Sequence, residues 1–171
     1  WILEKDFGIV LPKGMQSDVG LAVKSRADFL QRELSSEEVY SVFKAGWLNT
    51  ESPLKILDVV ETHIDSGAEK DSVLCRGSVS YYYEIFSIGA KGNGPLAAFV
   101  EALKQTSVPK FSLSAFHEHA IGSGSDTDAM AYVELSFENG TKTWGSGKSS
   151  NIGRAGIKAI ISAVNRSFKQ N

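Results

Sequence analysis

The segment Gly89-Ala90-Lys91-Gly92-Asn93-Gly94-Pro95-Leu96-Ala97 is the most informative part of the sequence, because it joins a strand-like stretch to a helical one through closely spaced glycines. Proline is favoured in the first turn of a helix, and glycine lets the backbone turn sharply and approach another group closely. A second glycine-rich stretch, Gly145-Ser146-Gly147-Lys148-Ser149-Ser150-Asn151, precedes the last helical stretch. Two such turns predict two copies of one structural unit.

Three strand-like segments precede each turn, rich in β-branched and aromatic residues. Those of the first copy span 54–64, 73–80 and 81–89, before a helix that Gly94-Pro95 opens and Pro109 ends. Those of the second copy span 111–121, 128–138 and 141–145, before a helix from about Asn151 to Lys169. In the middle strand of this copy, alternation predicts five inward-facing side chains: Ala129, Ala131, Val133, Leu135 and Phe137. We predict an α+β fold of two pseudo-symmetric βββα modules.

The first 50 residues predict a small α/β linker subdomain. Residues 1–11 resemble two short strands that turn at Gly8, and a helix is expected over 15–34. Ser35-Ser36-Glu37-Glu38 has the form of a capping box, which predicts a second helix to about Ala45. The polar, proline-terminated stretch 49–53 is the expected boundary, giving a linker subdomain over 1–50 and a second domain over 54–171. The chain does not begin with Met, so we expect a piece of a longer protein, with the subdomain truncated at its N-terminus.

Composition excludes several functional classes. With 22% charged residues and a formal net charge of -2, the chain offers no basic patch for nucleic acid. No apolar stretch approaches the length that crosses a membrane. The single cysteine, Cys75, cannot form an internal disulfide, and its strand-like surroundings favour a buried spectator thiol.

The Gly92-Asn93-Gly94-Pro95 turn has two interpretations. The free N–H groups and partial positive charge at the start of the following helix could hold a carboxylate, with Leu96 and Ala97 as an apolar wall. The same four residues also suit a plain strand-to-helix turn.

Other polar clusters give no recognisable catalytic set. His117-Glu118-His119 has the spacing of some metal sites, but no further ligands follow, which favours a structural role. The loop 122–128 carries two carboxylates without the pattern of an EF-hand. Neither a G-x-S-x-G elbow nor a P-loop occurs in the sequence.

The sequence resembles the C-terminal part of 2-isopropylmalate synthases and the related citramalate synthases. The matching runs are residues 92–100, 118–120 with 126–134, 144–147, 151–152 and 163–166, preceded by Gly8-Ile9-Val10-Leu11-Pro12-Lys13 with Met15-Gln16. They cover nearly the whole chain in the family's order. Ser17-Asp18-Val19-Gly20 departs from the Glu-Phe-Ser usual in the family, which bears on how the linker helix docks.

The resemblance implies a dimer-forming regulatory domain that binds leucine for feedback inhibition of a distant acyl-transfer site. It implies that this chain holds no catalytic residue, metal or cofactor, because the chemistry belongs to a barrel domain expected to use a divalent metal. The expected partners are leucine, a second copy and that barrel. The expected location is the cytoplasm, or an organelle in a eukaryote.

By matching positions, the resemblance also implies the residues of a leucine site between the modules. Those from the first turn are Asn93, Gly94, Pro95, Leu96 and Ala97, and those from the fourth strand are Leu113, Phe116 and Ala120. Ile152 comes from the last helix, and Asp126 and Asp128 would approach the ammonium group. Two alternatives stay open: a citramalate synthase domain that binds isoleucine, and a dimerisation module without a ligand.

Overall fold

A computed structural model describes residues 1–168 as three helices followed by two βββα modules. The helices are α1 (Ile2–Phe7), α2 (Lys13–Leu30) and α3 (Ser36–Trp47). The first module contains β1 (Leu54–His63), β2 (Val73–Tyr81), β3 (Glu84–Gly92) and α4 (Pro95–Leu103). The second contains β4 (Phe111–Ile121), β5 (Asp128–Phe137), β6 (Lys142–Ser149) and α5 (Ile152–Ser167), with a 3-10 turn over Gly124–Asp126. This confirms the predicted pair of βββα modules; the predicted helix end at Lys169 lies outside the described residues.

Both modules form an antiparallel three-stranded sheet in chain order, with β2 and β5 at the centres. A β-bulge interrupts the first strand of each sheet at an equivalent place, near Leu57 in β1 and near Ser114 in β4. The Asn139-Gly140 turn joins β5 to β6, with Gly140 at a φ of 89°. The internal repeat therefore extends to the irregularities of the strands.

The predicted hairpin over residues 1–11 is wrong. Ile2–Phe7 forms a helix whose Leu3 is buried, and Gly8 ends it with a φ of 68°. The positive φ expected of Gly8 is present, but it closes a helix, as glycine commonly does, instead of joining two strands. Residues 1–50 are therefore helical rather than α/β.

The capping box at Ser35 is confirmed and fixes where α3 begins. The Ser35 hydroxyl accepts a hydrogen bond from the Glu38 amide, and the Glu38 carboxylate accepts one from the Ser35 amide. The Arg32 guanidinium also holds this carboxylate, and these bonds lower the pKa of Glu38 to about 2. The turn between α2 and α3 is thereby tied to the first turn of α3.

Two hydrophobic cores meet at β5. The main core lies between the two modules and contains Phe99 of α4, Val133 of β5 and Ile160 of α5. The linker core lies on the other face of β5, where Tyr132 packs with Phe43 of α3 and other side chains of the first three helices. The five inward-facing residues predicted for β5 face the main core as expected, but the opposite face is buried too.

Helix α5 and the residues before β1 fasten the parts together. Buried Asn165 of α5 accepts a hydrogen bond from the Leu54 amide at 2.7 Å and donates one to the Leu54 carbonyl at 3.0 Å. The Asn49 side chain bonds the backbone of Lys148 at the edge of β6. Within residues 1–168, no helix is both long and apolar enough to span a membrane.

Candidate ligand-binding site

A cavity of about 370 Å³ opens between the ends of β4 and β5 and the start of α5. This volume lies in the lower range of small-molecule pockets. Its walls contain three predicted site residues, Ala120, Asp128 and Ile152. Sequence reasoning did not place the remaining wall residues in the site: Glu118, His119, Thr127, Ala129 and Ser150.

A bulge in β4 puts two further predicted residues on the face of Ala120. Leu113 pairs with Leu135, and Phe116 pairs with Val133, although their odd and even numbers would place them on opposite faces of a regular strand. Both partners belong to the main core. Helix α5 packs on β5 and β6, which leaves Leu113 and Phe116 39% and 38% exposed. These two residues and Ala120 lie along one face of β4, which they share with the Glu118 carboxylate, and are called here the β4 strip.

The start of α4 has free backbone amides. Gly94 is the N-cap and has no side chain to accept from them, and Pro95 occupies the first helical position. Because Pro95 has no N–H and the Ala98 amide already bonds the Gly94 carbonyl, the Leu96 and Ala97 amides are the ones that face outward. In α5 the equivalent position is filled by the Asn151 side chain, which accepts from the Arg154 amide. The first module thus has the helix start that is open to an anion.

The two glycines of this turn serve different purposes. A Cβ on Gly92 would lie 2.4 Å from the Ala98 nitrogen, so the close packing of β3 on α4 requires glycine there. A Cβ on Gly94 would meet nothing within 4 Å, and its φ of -168° is open to any residue. Close packing therefore requires a glycine at position 92, whereas no packing contact requires one at position 94.

The starts of α4 and α5 lie against each other. A Cβ on Gly153 would lie 3.5 Å from the Pro95 ring, and a Cβ on Gly156 would lie 2.7 Å from Cδ1 of Leu96. Since Ile152 immediately precedes Gly153, the first turn of α4 is next to the wall of the cavity. Asn93 and Ala97 are exposed beside it.

The two predicted aspartates differ in position. Asp128 lines the cavity, and its carboxylate lies 3.9 Å from the Lys148 ammonium group. Asp126 is exposed in the 3-10 turn and is absent from the described walls of the cavity. Of the two predicted aspartates, Asp128 therefore lies at the cavity and Asp126 lies outside it.

Two partly buried charged residues lie where α5 meets the first module. Arg154 of α5 donates to the Val59 carbonyl of β1 at 2.6 Å. Burial raises the pKa of the nearby Glu61 carboxyl, while the Arg154 charge partly opposes this effect. Within residues 1–168, Oε1 of Glu61 has no hydrogen-bond partner. Nothing in the sequence pattern pointed to this pair, because the two residues are far apart along the chain.

Cys75 and the histidines have the structural surroundings expected of them. Burial raises the pKa of the Cys75 thiol to about 11, which leaves it an unreactive thiol. His117 stacks on Trp144, and His119 bonds the Tyr132 hydroxyl. Over the described part of the chain, no group of three or more His, Cys, Asp and Glu residues is placed to hold a metal.

Comparison with known proteins gives consistent matches. The sequence profile of the LeuA allosteric (dimerisation) domain matches residues 33–168. The 2-isopropylmalate synthase of Clostridium acetobutylicum is 36% identical over 168 residues, which cover 98% of this chain and 30% of that protein. Those of Acetoanaerobium sticklandii and Saccharomyces cerevisiae are each 30% identical, over 97% and 96% of this chain. The chain spans under a third of the length of these relatives.

Proposed function

This chain belongs to the family of LeuA allosteric (dimerisation) domains, and we propose that it binds leucine as the feedback inhibitor of a 2-isopropylmalate synthase. Its relatives carry that enzyme name. The observation that carries the proposal is the position of the open start of α4 next to the cavity at Ile152. A free amino acid needs an anion site and an apolar pocket side by side, and these two features provide both.

The leucine carboxylate would bind the Leu96 and Ala97 amides at the start of α4. These N–H groups have no partner within the helix and carry its partial positive charge, and Gly94 leaves space in front of them. A carboxylate there contributes roughly 0.3–1 kcal/mol.

The leucine side chain would pack against Leu96, Ala120 and Ile152. Ile152 is 62% exposed without a ligand, so its apolar surface is available to be covered. Burying a leucine side chain contributes roughly 1.5–3 kcal/mol, so this contact would supply more of the affinity than the carboxylate.

The ammonium group would approach the carboxylates on the cavity wall. Asp128 and Glu118 both line the cavity. The Asp128 carboxylate also forms an ion pair with Lys148, which partly neutralises its charge. Asp126 lies outside the wall, so its part in the site would need the loop 122–127 to move.

A second copy of the chain would cover the β4 strip. Leu113 and Phe116 along β4 and Ile152 at the cavity wall leave apolar surface exposed, and the matched family is described as a dimerisation domain. A dimer would then close the site from the open side, while the acyl-transfer chemistry would belong to the rest of a longer protein.

Isothermal titration calorimetry of this chain with leucine, isoleucine and valine tests the proposal. We expect leucine to bind at least about tenfold more tightly than the other two, a difference of about 1.4 kcal/mol. Tighter binding of isoleucine would favour a citramalate synthase domain instead. A folded dimer that binds none of the three would leave dimerisation as the function and would refute the proposed leucine site.

A further inference from the structure

His119 lies between the cavity and the linker subdomain. It lines the cavity, and its Nδ1 is 3.0 Å from the Ala120 carbonyl oxygen. Its Nε2 is 2.8 Å from the Tyr132 hydroxyl and accepts a longer hydrogen bond, 3.4 Å, from the Val10 amide. The imidazole ring thus contacts Ala120, a residue of the proposed leucine site, on one side and the segment between α1 and α2 on the other.

The partners of the ring fix its tautomer. The Ala120 carbonyl beside Nδ1 can only accept, so in the neutral ring Nδ1 carries the proton and Nε2 is the acceptor for the Val10 N–H and the Tyr132 O–H. Tyr132 is fully buried in the linker core, and burial raises the pKa of its hydroxyl, so the hydroxyl keeps the proton that it can donate to Nε2, while the Val10 amide bonds to its oxygen.

The Val10 segment also packs along the end of β4. A Cβ on Gly8 would lie 3.4 Å from the Ile121 side chain, and Ile9 is buried in the linker core. Ile121 leads directly into the loop whose last residue, Thr127, lines the cavity. The cavity and residues 8–11 therefore both lie at the end of β4. The His119 side chain bonds to the Ala120 carbonyl at the cavity wall and to the Val10 amide in the linker segment.

We propose that His119 is a positioning residue that couples occupancy of the cavity to the linker segment around Val10, a role that rests on the proposed leucine site. A ligand packed against Ala120 restricts the Ala120 carbonyl and the ring bonded to it. The ring in turn restrains the Val10 amide, so the linker segment becomes more ordered when the cavity is filled. Coupling requires such a differential interaction, and proximity alone does not supply it.

Amide hydrogen exchange at Val10, followed by NMR with and without saturating leucine, measures the coupling. In the wild type we expect leucine to slow this exchange by about fivefold or more, the lower end of ordinary coupling between two sites. In His119→Asn, which keeps a donor near Nδ1 but loses the Nε2 acceptor, the effect should fall below about twofold. Tyr132→Phe, which removes only the hydroxyl and keeps the buried ring, should act in the same direction.

Three further observations separate coupling from simple structural support. His119→Gln, which places an acceptor near Nε2, should restore part of the effect, and His117→Asn, two residues away on the same strand face, should behave as the wild type. Leucine affinity in His117→Asn and Tyr132→Phe, whose residues lie outside the cavity wall, should stay within about threefold of the wild type. The imidazole ¹⁵N shifts of His119 should report a protonated Nδ1 and an unprotonated Nε2.

Each outcome decides a different point. Leucine that binds the wild type without changing exchange at Val10 refutes the coupling alone, as does a His119→Asn or Tyr132→Phe protein that still transmits the full effect. A wild type that binds no leucine refutes the proposed function, and the coupling with it.

Discussion

The two modules share one topology, but their sheets are covered differently. In the second module, α5 covers one face of β5 and the linker helices cover the other, so neighbouring Tyr132 and Val133 are both fully buried. In the first module, α4 covers one face, while the other carries Val60 and Ile85 at 57% and 67% exposure. An internal repeat can therefore set the strand order of both halves without setting which surfaces are buried.

Their helices differ as well. α4 has nine residues and α5 has sixteen, and α5 reaches the first module through Arg154 and Asn165. On the opposite side, α5 lies directly on the glycines of β6. We infer that the second module is the structural anchor of the domain and that the first supplies the open helix start of the proposed site.

The largest expected effect tests this anchor. A Cβ on Gly147 would lie 2.0 Å from the Ala155 carbonyl oxygen, so Gly147→Ala must displace α5. We expect the free energy of unfolding to fall by about 3 kcal/mol or more, measured by urea denaturation. Gly92→Ala, which clashes with the shorter α4, should cost less, and Gly20→Ala on the exposed face of α2 should be neutral or slightly stabilising. Equal losses of unfolding free energy in Gly147→Ala and Gly92→Ala would mean that the two modules contribute equally to the stability of the domain.

The second prediction asks which module forms the dimer. Phe116→Asp places a charge on the β4 strip, and we expect the dimer to dissociate about a hundredfold more readily, roughly 2.7 kcal/mol. Ile85→Asp, on the exposed face of the first module, should leave the dimer unchanged. Light scattering over a dilution series measures both against the 18.5 kDa monomer. Dissociation by Ile85→Asp instead would assign the interface to the first module.

The third prediction concerns the open helix start of the first module. Gly94→Asp adds a carboxylate in front of the Leu96 and Ala97 amides, and we expect leucine binding to weaken by at least about tenfold, or 1.4 kcal/mol. Gly94→Ala adds only a Cβ where the structure has space, and should change the affinity by less than about threefold. Calorimetry measures the affinity, and circular dichroism checks folding. An unchanged affinity in folded Gly94→Asp would place the ligand elsewhere.

The smallest effect concerns the buried carboxyl that faces α5 from the first module. The raised pKa of Glu61 means that the folded chain keeps this proton to a higher pH than the unfolded chain does. The contribution of this retained proton to the free energy of unfolding is fully present below the ordinary pKa of 4.5. It is lost as the pH rises through the folded-state pKa of Glu61. Glu61→Gln should therefore be more stable than the wild type at neutral pH, with the difference smallest near about pH 4.

Denaturation curves at several pH values measure this difference. Glu84→Gln, at an exposed position of β3, should show no comparable dependence. A Glu61→Gln protein that is less stable at neutral pH would mean that the attraction of the Glu61 carboxylate to the Arg154 charge outweighs the cost of burial.

Much of the fold could be predicted from local patterns. Alternation in β5 and the capping box at Ser35 reflect short-range geometry, and both are present as expected. The two glycine-rich segments precede their helices as predicted, but residues 89–92 and 145–149 continue strands β3 and β6 and do not form turns. A second error came at residues 1–11, where a short apolar segment suits a helix or a strand. Packing of α1 on α3 in the linker core decides that case.

The residues of the candidate site could be predicted only in part from the sequence. The matching runs named residues from the start of α4, from β4 and from α5, and the structure brings Pro95 and Leu96 next to the start of α5 and its neighbouring cavity. Glu118, His119 and Ser150 were missed because a wall residue of a cavity leaves no periodic signal. The alternation that passes through Phe116 and Ala120 could have identified Glu118, which lies on the same face.

The repeated βββα order, the starts of α3, α4 and α5 and the strand centres could be predicted from the sequence, because they follow from the conformational preferences of neighbouring residues. Only the tertiary structure decided that the bulge at Ser114 turns Leu113 and Phe116 to one face, and that β5 is buried on both sides. It also decided that α4 and α5 meet at their first turns. These features depend on contacts between residues distant in the chain, whose free energies no local pattern encodes.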